Sequence, residues 1–434
     1  MLFFDSDRNL NRVVAAICSL SFVVGICLVF VYGDSAYLGS LESFNDDDVK
    51  YVRSAWTLVE HSMLIYKYPT QPTVFIMPGL SFLIALFVLV FGKFSGLIAF
   101  RIFQVLLQTI SQILIFQIAK KAFCRKVAVL AVFLDALYIP EIWITNLILT
   151  EVTFKFLIIC LIYASGRAMH KREASAYVWV GLAWSLATLF RPTIALYAGV
   201  LPFLWWYSKY SLKEVIKYLL VILTIFFSIL SPWWIRNYQV FHKFIPLTLA
   251  SGNPMLQGTY IGGEKSSIVA NGTDYSAYYN YSDNEIESDR IEKALALERL
   301  RTLVPKNPLG YIYWYTVGKT FFQWYIPFLL GNVGFSILVV ATVYHWVLLI
   351  GFIFGLVRLR VRQKNSWIVL ILLVIAYFNC MHLPFISYSR YMYPVVPLII
   401  IISAYGFSLM FEYSYAIFVK KTRPIIESNP QLRN

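Results

Sequence analysis

Long apolar runs separated by short polar stretches repeat along most of this 434-residue chain. A helix needs about 20 apolar residues to cross the hydrocarbon core of a bilayer. Runs near that length occupy 13–32, 97–119, 127–143, 147–165, 176–190, 193–207, 218–235, 335–357, 367–386 and 395–416. They predict an all-α polytopic membrane protein of about ten spans. One further apolar run, 73–92, carries Pro78-Gly79 near its start and has no single reading from hydropathy. The 13–32 run is longer than the apolar core of a signal peptide and is read as an anchored first span.

Composition excludes a soluble protein. Hydrophobic residues make up 59% and charged residues 14%, against roughly 25% charged in ordinary soluble domains. The net charge of +14 resembles a nucleic-acid binder's until the charges are placed. Basic clusters fall at Arg8/Arg12, Lys120–Lys126, Arg167/Lys171/Arg172, Lys209/Lys213/Lys217, Arg358–Lys364 and Lys420–Arg423. With Arg433, these segments hold 20 of the 37 basic residues and only five acids, a net +15 that leaves −1 for the rest. Cytoplasmic loops collect Lys and Arg, so the clusters are assigned to the inside. The charge then reports topology, and no nucleic-acid partner is expected.

Parity constrains the ambiguous run. If 73–92 and 97–119 both crossed, the Lys120–Lys126 cluster would lie outside. The 73–92 run is therefore read as an interfacial or re-entrant helix of the outer leaflet. Both termini fall inside, in a multi-pass protein of the plasma membrane. The whole chain, 1–434, reads as one membrane-embedded domain. A first external loop (33–95) with juxtamembrane helices is the catalytic candidate. Core spans (96–235), a second large external loop (236–334), and C-terminal spans with a cytoplasmic tail (335–434) follow. The second loop is polar around 262–290, carries sequons at Asn271 and Asn280, and predicts a helix near 284–304. Its aromatic 311–331 stretch suits an interfacial helix. The five cysteines form no CxxC pair and read as packing residues.

Against this background a few polar residues stand out. Arg101, Arg191, Arg236 and Arg390 lie at the outer ends of spans, where topology gives no reason for a cation. Each taken singly has a plain role with lipid headgroups or an acidic neighbour. Together they suit an anionic ligand such as a lipid phosphate. Asp46-Asp47-Asp48 precedes a stretch in which Val49, Val52 and Trp56 keep helical spacing, so the acids sit at a helix N-terminus. They read either as a solvated cap or as a general base at the membrane surface. Glu141 and Glu151 flank Asn146 symmetrically in an external turn. Asp135 and Lys155 are also symmetric about that turn and are expected to pair within the membrane, because a lone charge there costs at least ~2.5 kcal/mol.

These residues resemble the polytopic glycosyltransferases of the GT-C class, above all family 39 with its protein O-mannosyltransferases and lipid A aminoarabinose transferases. Asp47-Asp48-Val49-Lys50-Tyr51 with Ala55 is similar to the family's D-(D/E)-x-x-Y-x-x-x-A motif, and Met77-Pro78-Gly79 to its P-P-(G/L). Arg101-Ile102-Phe103-Gln104 resembles the arginine that opens the next span, and Thr150-Glu151 the later T-E pair. Leu189-Phe190-Arg191-Pro192 resembles L-x-R-P, and Pro232–Asn237 resembles P-W-x-x-R-N. Arg390-Tyr391 with Pro394 and Pro397 resembles R-Y-x-x-P-x-x-P. The motifs keep the family's order across residues 47–397. Asp48 stands where Glu is common, and Met77 replaces a proline.

The resemblance implies a GT-C helix bundle and a polyprenyl-phosphate sugar donor. It implies inverting transfer to the hydroxyl of a glycolipid, polysaccharide or protein acceptor on the external or periplasmic face. Asp47 would be the catalytic base. Arg101, Arg191, Arg236 and Arg390 would hold the phosphate. Asp48, Tyr51, Glu151, Asn237 and Tyr391 would complete the binding of substrates, with a metal left open and no cofactor required by the residues. A lipid-linked sugar flippase or transporter, a surface polysaccharide polymerase or ligase, and a membrane scaffold remain as alternatives at this point.

Overall fold

The computed structural model describes residues 7–263, 269–270, 273–274, 284–331, 333–359 and 365–428. The sequons at Asn271 and Asn280 lie outside them, as do Arg360, Arg362, Lys364 and Arg433. The described chain is a bundle of helices. The strand pairing among these residues is a two-residue antiparallel ladder, Val269 with Asp274 and Ala270 with Thr273.

The chain opens with α1 (Asp7–Tyr32), then α2 (Asp47–His61), α3 (Gly79–Phe91) and α4 (Lys93–Ala122). Helix α2 starts where the acid run predicts. Asp46 caps it, its side chain accepting the Asp47 N–H at 2.7 Å. Val49, Val52 and Ala55 make its buried stripe. Helix α3 has 13 residues, short of the ~20 that a span needs, and it packs between α2 and α4.

Two expected spans are broken. The 127–143 run divides into α5 (Arg125–Ala136) and α6 (Ile139–Trp143), the latter continued by a 3-10 turn to Asn146, with a 63° bend. Pro140 at the start of α6 explains the break: it lacks an N–H and its ring clashes with the preceding turn. After α7 (Glu151–Lys171) and α8 (Ala174–Phe190), the 193–207 run divides into a 3-10 segment, Pro192–Gly199, and the seven-residue α9 (Leu201–Tyr207). Each piece carries proline in its first turn, where proline begins helices rather than continues them.

Helix α10 (Leu212–Phe241) is opened by a capping box between Ser211 and Glu214. The second large loop contains α11 (Gly252–Gly258), α12 (Glu285–Leu303), and α13 (Pro308–Tyr313) joined through a π-turn to α14 (Lys319–Trp324). The expected helices at 284–304 and in the aromatic stretch are thus present, the second ending at Trp324. The chain closes with α15 (Phe335–Arg358), α16 (Ser366–His382), the short α17 (Ser389–Met392) and α18 (Val396–Ser428). Helices α15 and α18 meet backbone to backbone: a Cβ added at Gly406 would lie 2.2 Å from the Gly351 carbonyl oxygen. Small residues permit such close approach between spans.

Among the described residues, six helices are long and apolar enough to cross a membrane, or seven if the bent α5–α6 pair counts as one. The count of about ten is reached only by adding α8 and α16, of 17 residues each, and the broken Pro192–Tyr207 segment. The chain is a helical integral membrane protein whose main core lies between α4, α5, α7, α8, α16 and α18.

Candidate active site

Four chain segments meet where α7 begins. Helix α2 brings Asp47, α7 brings Glu151, the end of α8 brings Arg191, and α17 brings Arg390. Glu151 is fully buried and accepts from both arginines: Arg191 NH2 at 2.6 Å and Arg390 Nε. Arg191 Nε also donates to Thr150 Oγ1 at 2.7 Å. The other side of Arg390 reaches Asp47, with NH1 2.8 Å from Oδ2. Tyr66 donates its hydroxyl to Asp47 Oδ1 at 2.8 Å. The result is an alternating chain of charges, Asp47–Arg390–Glu151–Arg191, that is partly open: the Asp47 side chain is 39% exposed and Arg390 22%.

Burial pulls the Asp47 carboxyl upward. The Arg390 charge and hydrogen bond, with the Tyr66 hydroxyl, outweigh it and hold the group below its ordinary value of 3.8. Tyr51 is buried one helical turn along α2, its ring 5.0 Å from that of Tyr66. Burial first, and the Asp47 charge after it, push the Tyr51 hydroxyl up, so it stays protonated and can donate. Tyr391 stacks on His382 at 4.8 Å beside Arg390.

The tight fit of neighbouring backbone fixes Arg191. A Cβ on Gly79 would lie 2.7 Å from the Leu189 carbonyl oxygen, so the Pro78-Gly79 turn rests on the end of α8. An apolar cavity of about 380 Å³ opens beside this contact, walled by α2, α3, α8 and α10. Arg236 is the one charged residue lining it. Its NH1 donates to Thr73 O at 2.7 Å and to Asn237 Oδ1 at 3.0 Å, and its guanidinium lies 5.2 Å from both the Trp233 and Phe241 rings. Asn237 in turn donates to Ile245 O at 2.9 Å. Arg236 therefore ties α10 to the first loop, and Asn237 ties it to the segment that follows it, without either touching the Asp47 cluster.

Two other sequence candidates turn inward to hold the chain before α2. Asp48 is fully buried and accepts the N–H groups of Leu38 at 2.7 Å, Gly39 at 3.3 Å and Val49 at 2.8 Å. Arg101, also fully buried, pairs with Asp34 at 3.1 Å, donates to Asn146 O at 3.0 Å and lies 4.6 Å over the Tyr37 ring. These contacts position α2 and with it Asp47. Among the described residues, no three His, Cys, Asp or Glu side chains gather in a way that would hold a metal ion.

The expected Asp135–Lys155 pair is not formed. Lys155 Nζ instead meets Glu141, the Gln108 side chain and, at 3.2 Å, the Tyr393 hydroxyl. Asp135 accepts from Gln108 Nε2 at 3.3 Å. The symmetry that suggested the first pairing assumes a straight hairpin; the bend before α6 turns Glu141 back into the bundle in place of Asp135. Tyr66 and Thr150 complete the cluster, through Asp47 and Arg191 respectively. Its place beside Glu151 marks Thr150 in the sequence, whereas Tyr66 lies in a loop with no spacing signal.

Comparison with known proteins places this architecture. Residues 71–235 match the family model of dolichyl-phosphate-mannose-protein mannosyltransferase. No curated protein matches the chain. The fold is similar to the crystal structure of the Archaeoglobus fulgidus oligosaccharyltransferase in its apo form, with a TM-score of 0.56 at 11% identity, over 94% of this chain and 52% of that one. It is also similar to the A. fulgidus oligosaccharyltransferase AglB in complex with an inhibitory peptide and a dolichol-phosphate, with a TM-score of 0.53 at 12% identity, over 96% and 52%. ArnT from Cupriavidus metallidurans bound to undecaprenyl phosphate aligns over 91% of this chain and 77% of its own, at 15% identity and a TM-score of 0.43. The chain thus spans about half the length of the archaeal enzymes. Its helix bundle is of the GT-C type, as the order of motifs implied.

Proposed function

We propose that the chain is a glycosyltransferase that moves a sugar from a polyprenyl-phosphate-linked donor to an acceptor hydroxyl at the external membrane face, with inversion. The observation that carries this reading is the Asp47–Arg390–Glu151–Arg191 cluster at the end of α7 opposite Lys171. Helix α7 has 21 residues, roughly 30 Å at 1.5 Å per residue, so a hydrocarbon thickness separates the cluster from the basic turn at Lys171-Arg172. The apolar cavity beside Leu189 and Arg236 gives a lipid tail a place next to the end of α8 that carries Arg191. The mannosyltransferase family match over residues 71–235 and the AglB likeness support a lipid-phosphate donor for a fold of this kind.

The chemistry follows from the charges. Asp47 takes the acceptor proton as the acceptor oxygen bonds to the anomeric carbon. The bond from that carbon to the phosphate oxygen breaks, and its electron pair leaves on the polyprenyl phosphate. Positive groups aimed at the departing phosphate stabilise that charge, and Arg390 and Arg191 are the arginines within the cluster. In the structure Arg390 neutralises Asp47, which makes Asp47 a weak base. An arriving phosphate competes for Arg390 while Glu151 keeps the guanidinium in place. Asp47 then loses its cation and gains basicity when a donor is bound.

The test is to incubate the purified protein with polyprenyl-phosphate hexoses and pentoses and membrane-derived acceptors. Release of free polyprenyl phosphate with glycosylated acceptor of opposite anomeric configuration is expected. Donor movement across vesicles without release would overturn the reading in favour of a flippase. Release of a polyprenyl pyrophosphate would replace it with a polymerase or ligase.

A further inference from the structure

The bundle carries a second lipid-sized feature, far from the Asp47 cluster. A groove of about 560 Å³ runs between α7 and α8, with Leu114 of α4 at its floor. On α7 its wall is Phe156, Cys160, Tyr163, Arg167 and Lys171, residues three or four positions apart that share one helix face. From Phe156 to Lys171 that face extends roughly 22 Å at 1.5 Å per residue, longer than the ~15 Å of one bilayer leaflet. The wall is apolar until its last turn, where two cations stand one above the other.

These cations are available. Of the three basic residues at this end of α7, Arg172 is used within the protein, donating to Ser208 O at 2.6 Å and pairing with Glu214 at 3.7 Å. Arg167 and Lys171 are exposed and form no ion pair among the described residues. Glu173, the acid of the turn, accepts the Ser175 hydroxyl at 3.3 Å. On the facing wall Trp179, 66% exposed, sits one turn along α8 from Ser175. Tryptophan favours the headgroup level of a bilayer, so the cations lie at the height of a lipid phosphate.

We propose that this groove binds an anionic glycerophospholipid of the leaflet bordering the Lys171–Ala174 turn. One acyl chain lies between α7 and α8, and the phosphate is held by Arg167 and Lys171. Charge complementarity selects the occupant: an apolar slot one leaflet deep ends at two unneutralised cations, which suits a single chain with an anionic head. The site is independent of the glycosyl-transfer reading, since it stands at the opposite end of α7 from Glu151.

The probe is phosphatidylglycerol with a photoactivatable diazirine in one acyl chain, added to the full chain in detergent. Adducts are expected on peptides within 156–186, displaced by phosphatidylglycerol and poorly by phosphatidylcholine. R167Q/K171Q should lower their yield roughly 30-fold. K120Q/K213Q, which removes as much charge away from the groove, should leave it unchanged. Ala183→Trp, which fills the slot with both cations in place, should abolish the adducts and serves as an independent arm should the double variant not fold. Adducts elsewhere, equal displacement by phosphatidylcholine, indifference to R167Q/K171Q, or a crosslink between two copies through this face would each overturn the proposal.

Discussion

Arg390 NH1 lies 2.8 Å from Asp47 Oδ2, closing a link between residues 343 positions apart. It joins the first loop to the segment that leads into the last span, so the cluster is assembled by the whole fold. If Asp47 is the base, Asp47→Asn should lower turnover by roughly 10²–10⁴-fold. Binding of a lipid phosphate should be kept or tightened, because Arg390 loses its competitor. Single-turnover transfer measured beside equilibrium binding of polyprenyl phosphate separates the two effects. Near-normal turnover would remove Asp47 from the mechanism.

Glu151 has a different standing. It is fully buried between two arginines, and removing one partner of a buried ion pair costs about 3–5 kcal/mol. Glu151→Gln should therefore lower the thermal unfolding midpoint in detergent much more than Asp47→Asn, whose side chain is partly exposed. A midpoint equal to that of Asp47→Asn would show that Glu151 is no keystone of the cluster.

How far this site could be read beforehand depended on whether a charge was out of place. Arg191, Arg390 and Glu151 were legible because ionised groups at outer span ends need a reason. Asp47 was legible because an acid run preceded helical spacing. Arg101 and Asp48 carried the same signals, yet both turn inward to fasten residues 34–39; sequence cannot tell a carboxylate that caps backbone from one that faces a ligand. The bent α5–α6 pair and the broken Pro192–Tyr207 segment were missed because hydropathy sums overlook proline, which ends hydrogen-bond ladders inside runs of unbroken apolarity. The same bend pairs Lys155 with Glu141 and not with Asp135.

The depressed Asp47 carboxyl gives a pH signature of definite sign. Its folded value lies below the ordinary 3.8, so the ion pair's contribution to stability is fully present above about pH 4–5. It is lost as pH falls through the folded value. The gap in unfolding midpoint between wild type and Asp47→Asn should be level from pH 7 to about pH 5 and close below pH 4. The acid limb of kcat/KM, which reports the free enzyme, should likewise lie below pH 4. A limb near pH 6 would assign the base to another group.

Lys155 and Glu141 offer the sharpest contrast between keeping and replacing a buried charge. Both are fully buried, and the Tyr393 hydroxyl donates to Glu141 Oε2 at 2.9 Å, three residues from Arg390. Lys155→Met leaves a carboxylate in the bundle, and Glu141→Met leaves an ammonium. Each should cost about 3–5 kcal/mol, whereas replacing both charges with methionine should recover most of that loss, because neither ion is then desolvated. The double variant tests purpose as well as energy. If the pair serves only packing, the K155M/E141M protein should keep wild-type turnover. If it holds Tyr393, and through it Arg390, the variant should be stable but slow. Unfolding midpoints and turnover measured on the same four proteins decide between the two, and additive losses in the double variant would show that the two charges do not interact.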